Sequence, residues 1–265
     1  MPGGGERWLY GRHAVAAALA NPERRWRRLA VLAAQEDEGR ALLAAARATR
    51  RGDGEPLRVL DRAGFAAIVP DTAVHQGLAL EVEPLEVPDL DDVLRAAAMA
   101  PRAVVVVLDQ VNDPHNVGAI LRAAAAFGAH AVIAAAHGTP AATGALAKAA
   151  SGAVELVPLI PAVNLARALQ RLKEAGFWCC GLEEGAAAAL ATLDLGPRVA
   201  LVLGAEGGGL RRLVRENCDY LARLPTNAAM PSLNVSTAAA IALYQLASSP
   251  ALSFRGAPQG RTRNP

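Results

Sequence analysis

The sequence predicts an α/β protein in two parts, a small α/β unit followed by a doubly wound α/β domain with a parallel sheet. Three observations support this prediction. Short Val-rich runs alternate with Ala-rich stretches of helical spacing along most of the chain. Residues 104–108 are apolar throughout, as is typical of a strand buried on both faces of a parallel sheet. Three prolines, Pro84, Pro88 and Pro101, mark a linker between the two parts.

In order along the first part, we predict helices at residues 13–19, 39–49 and 62–67, and strands at 29–33, 57–60 and 78–82. In the second part, we predict strands at 104–108, 131–135, 154–157, 177–181, 199–203 and 220–223, and helices at 117–127, 141–150, 162–175, 210–216 and 233–247. The expected boundaries are an N-terminal domain over 1–83, a linker carrying a short helix over 84–101, a larger domain over 102–250 and a basic tail over 251–265.

Composition argues against several classes of protein. The N-terminal MPGGGERWLYGRH lacks the apolar region of a secretory signal, and no later stretch offers the ~18 uncharged apolar residues that cross a bilayer. We therefore expect a cytoplasmic protein without a membrane partner. Cys179, Cys180 and Cys218 are three in number and two are adjacent, so the sequence favours reduced core thiols over disulfides or a zinc site, and no metal is expected.

Basic residues cluster although the net charge is only +2. Clustering matters more than net charge for binding a polyanion. Ordinary solvated surface is the simpler interpretation of each cluster. The clusters are Arg24, Arg25, Arg27 and Arg28; Arg47, Arg50 and Arg51; Arg211, Arg212 and Arg215; and Arg255, Arg261 and Arg263 in the tail.

Three segments with unusual sequence follow predicted strands, where ligands bind in open α/β sheets. The first is DQVNDPHNVGAILRAAAAFG, in which Asp113 and Pro114 form a turn, Asn116 stands where a helix cap belongs and Arg122 follows six residues later. A capping Asn116 and a solvated Arg122 are the structural alternative for this segment.

The second segment, GAEGGGL, places Glu206 among glycines that allow a ligand to approach the backbone closely. Its spacing is not the dinucleotide fingerprint of a dehydrogenase, and Glu206 would repel phosphates. A ligand with hydroxyls, an amine or a cationic centre fits better, and S-adenosylmethionine has all three. The third segment, RLPTNAAMPSLNVSTAAAIALYQL, offers Ser232 and Asn234 in a loop bracketed by prolines, although either residue alone could simply cap a helix.

Together the three segments resemble the motifs of the SpoU or TrmH-like RNA 2′-O-methyltransferases, of the knotted SPOUT class, over about residues 104–246. Within that family the sequence is similar to the bacterial enzymes that methylate guanosine in 23S rRNA. YGRHAVAAAL and HQGLAL resemble the accompanying N-terminal RNA-binding domain, which is similar to ribosomal protein L30e. The resemblance implies a trefoil knot near the C-terminus, contrary to ordinary topology, and a homodimer that completes each active site.

The resemblance also implies roles for particular residues. Gly204, Leu224 and Leu233 would hold S-adenosylmethionine through their backbone, with Glu206 and Asn234 also in the cofactor site. The catalytic group would be Arg122, Asn116, Glu206, Ser232 and Asn234.

Arg122 would act on the 2′-hydroxyl, oriented by Asn116 and Glu206. Arginine is a poor base, so we favour a guanidinium clamp on the ribose and phosphate, leaving a deprotonated Arg122 as the alternative. His115 is a rival base, but its position in a turn favours a structural role.

RNA recognition is expected to fall partly to the N-terminal domain, with Arg12, Arg24, Arg25 and Arg28 as candidate RNA ligands. The expected partner is 23S rRNA or a pre-ribosomal particle. Two alternatives stay open: a tRNA ribose methyltransferase of the same superfamily, and an RNA-binding protein without catalytic activity.

Overall fold

The computed structural model describes residues 8–70, 73–136, 145–227, 229 and 232–248. These residues form two compact units. The first comprises the residues up to Val87 with segments 113–122 and 145–158, and the second comprises residues 88–112, 123–136 and those from 159 onward. Within the described residues, no helix is both long and apolar enough to cross a membrane.

The first unit contains a mixed sheet of five strands. In chain order these are β1 Trp8–Tyr10, β2 Arg25–Leu32, β3 Thr49–Arg50, β4 Leu57–Leu60 and β5 Leu78–Val82. β5 lies between β1 and β2 and is antiparallel to both, whereas β3 and β4 pair in parallel with successive halves of β2. β5 is buried along its whole length, so it forms the centre of this sheet. The helices of the N-terminal region are α1 Arg12–Ala20, α2 Glu36–Ala44 and α3 Arg62–Ala66.

The second unit is built on a parallel sheet of seven described strands in the order β10-β12-β9-β11-β6-β7-β8. This arrangement confirms the predicted parallel sheet. β6 and β11 are buried over nearly all their residues, which explains their continuous apolar sequence. The strands are β6 Ala103–Leu108, β7 Ala131–Ala135, β8 Leu159–Ala162, β9 Trp178–Leu182, β10 Ala188–Ala189, β11 Arg198–Leu203 and β12 Tyr220–Arg223.

The register of β6 and β11 brings two of the unusual segments together. Arg198 lies opposite Ala103 and Leu203 opposite Leu108, so both strands end at the same level. The segments that follow Leu108 and Leu203 therefore begin side by side at the carboxyl edge of the sheet, where ligands bind in this class of fold.

The remaining helices have clear local causes. Asp89 and Asp92 form a reciprocal capping box at the start of α4, and Asn164 caps α7 by accepting a hydrogen bond from Arg167 N. α7 buries Leu165, Leu169 and Leu172 in the core of the second unit. The helices are α4 Leu90–Met99, α5 Pro114–Ala126, α6 Ala145–Ala149, α7 Leu165–Glu174, α8 Arg212–Glu216 and α9 Val235–Ser248.

The strand predicted at residues 154–157 is wrong, and the bounds of several other elements differ from the prediction by a few residues. Residues 154–157 do not form a strand: a 3-10 helix, Ala153–Glu155, follows Gly152, whose φ of 88° is left-handed, and the strand is β8. Residues 154–157, Val-Glu-Leu-Val, are too few for the spacing of apolar residues to distinguish a strand from a turn. The very short β1, β3 and β10 were not predicted. The predicted basic tail, 251–265, and residues 141–144 of a predicted helix lie outside the described residues.

Candidate active site

A cavity of about 390 Å³ opens at the carboxyl ends of β9, β11 and β12 in the second unit. Three loops form its walls: the glycine-rich loop after β11, the segment after β12 and the turn after β9. Five of the residues proposed for the cofactor or for catalysis line this cavity, namely Gly204, Glu206, Leu224, Ser232 and Leu233. Residues that are far apart in the sequence are thus brought together at one edge of the sheet.

The glycine-rich loop is closed tightly on itself. Ala205 and Gly209 exchange two backbone hydrogen bonds, of 3.1 and 2.9 Å. A side chain at Gly204 would place its Cβ 2.2 Å from the carbonyl carbon of Gly209, and Gly209 itself has a φ of 61°. Neither position accommodates another residue without rearrangement. The conformation of the loop is therefore constrained, and the loop presents its backbone to the cavity.

A partly buried ion pair that the sequence did not reveal holds the end of this loop. The carboxylate of Asp109, directly after β6, accepts hydrogen bonds from Arg211 N at 2.8 Å and from Arg211 Nε at 2.6 Å. The Asp109 side chain is fully buried, whereas that of Arg211 is half exposed. The sequence grouped Arg211 only with a basic cluster. Its position directly after GAEGGGL was the one signal that pointed to this role.

Glu206 and Asn234 are in direct contact. Asn234 Nδ2 donates to Glu206 Oε1 at 2.5 Å, and the backbone N–H of Val235 also points to this oxygen at 3.5 Å. Asn234 Oδ1 accepts from Ser236 N at 2.9 Å and from Thr237 N at 3.3 Å, so it caps α9. Asn234 therefore caps the helix and orients Glu206 at the cavity at the same time.

The first segment has a different cap from the one expected. Asp113, not Asn116, caps α5: its carboxylate accepts from His115 N at 3.2 Å and from Asn116 N at 3.3 Å. Pro114 is the first helical residue, which suits its fixed φ and missing N–H. The interpretation of Asn116 as a helix cap is thus wrong, and the helix starts three residues before the predicted residue 117.

Arg122 lies on α5 with an exposed side chain. Within the described part of the chain it makes no hydrogen bond or ion pair. Asn116 is half-buried. By packing, both residues belong to the first unit, whereas the cavity belongs to the second.

One of the four candidate RNA ligands is ruled out by burial. Arg24 is 2% exposed and forms an ion pair with Glu155, which is also buried. Its Nη1 donates to the carbonyl of Glu83 at 2.9 Å. A guanidinium in this position holds the first unit together and does not reach a phosphate. Arg24 is therefore a structural residue.

The other three candidate RNA ligands are at least partly exposed but carry acidic partners. Arg12 Nε lies 2.5 Å from Glu38, and Arg28 Nε lies 2.5 Å from Glu81. Arg28 also lies over the ring of Trp8, 5.8 Å from its centroid. Arg25 has the loosest pairing, 3.7 Å from Glu86. Exposed pairs such as Arg25–Glu86 contribute little and exchange readily for a phosphate, whereas the Glu81 partner of Arg28 is buried.

The cysteines are free, as expected. Cys179 and Cys180 are buried and Cys218 is half-buried. Burial raises the pKa of Cys180 and of Cys218 to about 12, so both are protonated at neutral pH. Among the described residues, no group of three His, Cys, Asp or Glu side chains is arranged to hold a metal ion.

Comparison with known protein families gives two matches that together span most of the chain. The SpoU rRNA Methylase family matches residues 103–244, which include the cavity and all three motifs. An RNA 2′-O ribose methyltransferase substrate-binding domain matches residues 8–88.

Similar proteins include the 23S rRNA (guanosine-2′-O-)-methyltransferase RlmB of Pseudomonas syringae pv. tomato, 39% identical over 241 residues, which are 89% of this chain and 93% of that protein. RlmB of Xylella fastidiosa Temecula1 is 40% identical over 90% of this chain and 94% of its own length. An uncharacterised tRNA/rRNA methyltransferase of Synechocystis is 37% identical over 90% of this chain, and this chain spans 61% of that longer protein.

Two solved structures have the same fold. The SpoU methyltransferase AviRb from Streptomyces viridochromogenes, in complex with AdoMet, has a TM-score of 0.74 at 22% identity, covering 92% of this chain and 89% of its own. An AdoMet-bound rRNA methyltransferase from Sinorhizobium meliloti has a TM-score of 0.70 at 24% identity, covering 90% and 85%. These likenesses confirm the predicted fold class.

Proposed function

The chain belongs to the SpoU rRNA methylase family and is an RNA 2′-O-methyltransferase, and on this premise we propose that it methylates the ribose of a guanosine in 23S rRNA, with S-adenosylmethionine as the methyl donor. The observation that carries the proposal is the cavity itself. The backbone of Gly204, Leu224 and Leu233 and the carboxylate of Glu206 converge there from three loops. RlmB relatives with 39–40% identity support guanosine in 23S rRNA as the substrate.

The cavity fits an adenosine-based donor in size and chemistry. Its volume of about 390 Å³ falls in the range of ~300–1,000 Å³ that is usual for small-molecule sites. Leu182, Leu203 and Val235 offer apolar surface for a base, and Glu206 offers an acceptor for an amine or hydroxyl. When bound, S-adenosylmethionine supplies an electrophilic methyl group. The protein has to hold that donor and the ribose hydroxyl in line, which contributes up to ~7–11 kcal/mol.

Arg122 is the group that we propose to act on the substrate ribose. Its exposed guanidinium has no acidic partner among the described residues, so its charge is available to RNA. An arginine keeps its proton under physiological conditions, and it binds phosphate with two parallel hydrogen bonds. We therefore assign Arg122 to clamp the ribose and its phosphate and to stabilise the alkoxide that develops on the 2′-oxygen. Asn116 and Ser232 are proposed as polar groups that help to orient the substrate.

The N-terminal region, which matches a substrate-binding domain, is proposed to hold the RNA. Arg12 and Arg25 are exposed enough to exchange their carboxylate partners for phosphates, and Arg25 has the weakest pairing to break. Arg28 is half exposed and is proposed to contact RNA while it stays paired with the buried Glu81. We further propose that the substrate is free 23S rRNA or a pre-ribosomal particle in the cytoplasm. Binding should weaken steeply with salt, because phosphate contacts release counterions.

We also propose that the protein is a homodimer that pairs through α9. Ile241 and Tyr244, on one face of this helix, are 42% and 60% exposed. Phe127 packs edge-on against Tyr244, with 5.9 Å between ring centroids, and extends the apolar surface. Exposed aromatic and aliphatic side chains that adjoin in this way are typical of protein interfaces. The trefoil knot in the same unit stays a prediction.

The experiment that tests this function is mass-spectrometric mapping of 2′-O-methylation in rRNA and tRNA from cells that lack the protein. The cells are complemented with the wild type or with Arg122→Ala. Loss of one 23S rRNA guanosine methyl group, restored by the wild type but not by Arg122→Ala, is the expected result. Loss of a tRNA mark would favour a tRNA enzyme, to which the tRNA/rRNA description of the Synechocystis relative also points. No change in either RNA would favour a binding protein without activity.

A further inference from the structure

Three carboxylates line the cavity, and two of them already have partners. Glu206 accepts from Asn234 Nδ2, and Glu183 is paired with Arg215 Nε at 2.8 Å. The third, Glu184, is exposed and makes no hydrogen bond or ion pair within the described residues. A ligand in this cavity therefore meets one carboxylate whose oxygens are both free to accept hydrogen bonds.

The turn that carries Glu184 is held in place on both sides. Ala186 N donates to Glu183 O at 3.1 Å, which closes a β-turn with Glu184 at its second position. Glu183 N donates to Ala222 O of β12 at 2.9 Å, and Arg223 Nη1 donates to Ala186 O at 2.7 Å. Because the turn is fixed before any ligand arrives, little entropy is lost when Glu184 binds a ligand.

The position of Glu184 matches a particular part of the donor. It follows Leu182, the last residue of β9, at the carboxyl edge of the parallel sheet. A carboxylate there can accept hydrogen bonds from both hydroxyls of a ribose, as acidic residues do in other α/β nucleotide-binding folds. Leu182 and Leu203 also line the cavity and offer apolar surface for the adjacent base.

We propose that the Glu184 carboxylate binds the 2′- and 3′-hydroxyls of the donor's ribose. This inference rests on the proposed function, because it assumes that the cavity takes S-adenosylmethionine. It makes Glu184 a determinant of donor recognition on a turn for which the sequence motifs gave no signal.

The test is titration calorimetry of the full-length protein with three probes: S-adenosylmethionine, 5′-methylthioadenosine, which keeps the diol but lacks the amino-acid part, and the 2′,3′-dideoxy form of the latter. Glu184→Gln removes the charge with little change of shape. Glu174→Gln is the matched control: Glu174 is exposed at the end of α7, four residues before β9 begins and thus at the opposite edge of the sheet.

We expect Glu184→Gln to weaken the first two probes about tenfold, the usual loss for a hydrogen bond to a charged group. The dideoxy probe should bind the wild type and Glu184→Gln equally, and Glu174→Gln should bind every probe as the wild type does. Weakening of S-adenosylmethionine alone would mean that Glu184 binds the amino-acid ammonium and would overturn the inference. The inference would also be overturned if Glu184→Gln bound every probe as tightly as the wild type does. A wild type that does not bind S-adenosylmethionine would instead overturn the proposed function.

Discussion

The carboxylate of Asp109 binds Arg211 twice, through the main-chain N–H at 2.8 Å and the guanidinium Nε at 2.6 Å. Asp109 follows the central strand β6, and Arg211 follows the glycine-rich loop. The pair therefore fixes the end of that loop, although neither residue lines the cavity. A contact outside the cavity thus helps to hold the loop that carries Gly204 and Glu206.

Asp109 and Arg211 are predicted to be energetically coupled. Asp109→Asn should lower the free energy of unfolding by about 1.5–3 kcal/mol, because a buried charge-assisted hydrogen bond is lost. Arg211→Met should cost more, about 3–5 kcal/mol, because it leaves a buried carboxylate without its cation. In urea denaturation, the double variant should lose about 1–3 kcal/mol less free energy of unfolding than the two single variants lose in sum. Additive losses would contradict the coupling.

Arg122→Ala should strongly slow methylation while leaving stability nearly unchanged. The side chain is exposed and has no partner among the described residues, so the free energy of unfolding should change by less than about 0.5 kcal/mol. Removing an electrostatic stabiliser of the transition state typically costs 10²- to 10³-fold in kcat. Single-turnover methylation of an RNA fragment measures the effect. Arg167→Ala removes an exposed arginine from α7 and should retain activity.

Asn234→Asp should separate the two roles of this residue. Aspartate caps a helix as well as asparagine does, so α9 should keep its stability. It would, however, place a second carboxylate where Asn234 Nδ2 now donates to Glu206 Oε1 at 2.5 Å. Repulsion should displace Glu206 and weaken S-adenosylmethionine binding. Adding Glu206→Gln should restore part of the affinity lost by Asn234→Asp, and calorimetry that finds no recovery would exclude this explanation.

Most of the second unit was predictable because its inner strands β6, β7 and β11 are buried over nearly all their residues. β6 and β11 appear in the sequence as continuous apolar runs, and the positions after them are where an α/β sheet binds its ligands. That reasoning led to the segments that carry Glu206 and Ser232, and the family resemblance added Gly204, Leu224 and Leu233; all five residues line one cavity. Periodicity was least informative at residues 154–157, where a turn buries Val154 and Val157 but leaves Leu156 exposed.

The parts of the site that escaped prediction depend on contacts between distant segments. Asp109 and Arg211 are 102 positions apart, and each alone looks like ordinary surface charge. Arg24 was predicted to bind RNA because it stands among other arginines. Its buried partner Glu155 is 131 positions away, so nothing in the sequence indicated the pairing. Glu184 lies in a turn whose sequence resembles any polar loop. Charge patterns in sequence do not reveal which charges are already paired inside the fold.

Ile241→Asp and Tyr244→Asp should convert the proposed dimer into monomers. Each variant places a charge on the exposed apolar face of α9, where a partner helix would have to bury it without a counterion. Sedimentation equilibrium should give the mass of two chains for the wild type and of one chain for either variant. Leu213→Asp is the control, because Leu213 is a similarly exposed apolar residue on α8. A monomeric wild type would contradict the proposed assembly.

The buried thiols should make the protein less stable in alkali. Burial raises the pKa of Cys180 and of Cys218 from 9.0 to about 12, so the folded thiols stay protonated while unfolded thiols ionise above about pH 9. The unfolded state then binds fewer protons than the folded state, and the free energy of unfolding falls between pH 9 and 12. The fall should approach about 1.4 kcal/mol per pH unit for each thiol. Denaturation at several pH values gives the free energy of unfolding as a function of pH. Its decrease with pH should be less steep for Cys180→Ala and for Cys218→Ala than for the wild type. Equal slopes would mean that these thiols ionise alike in both states.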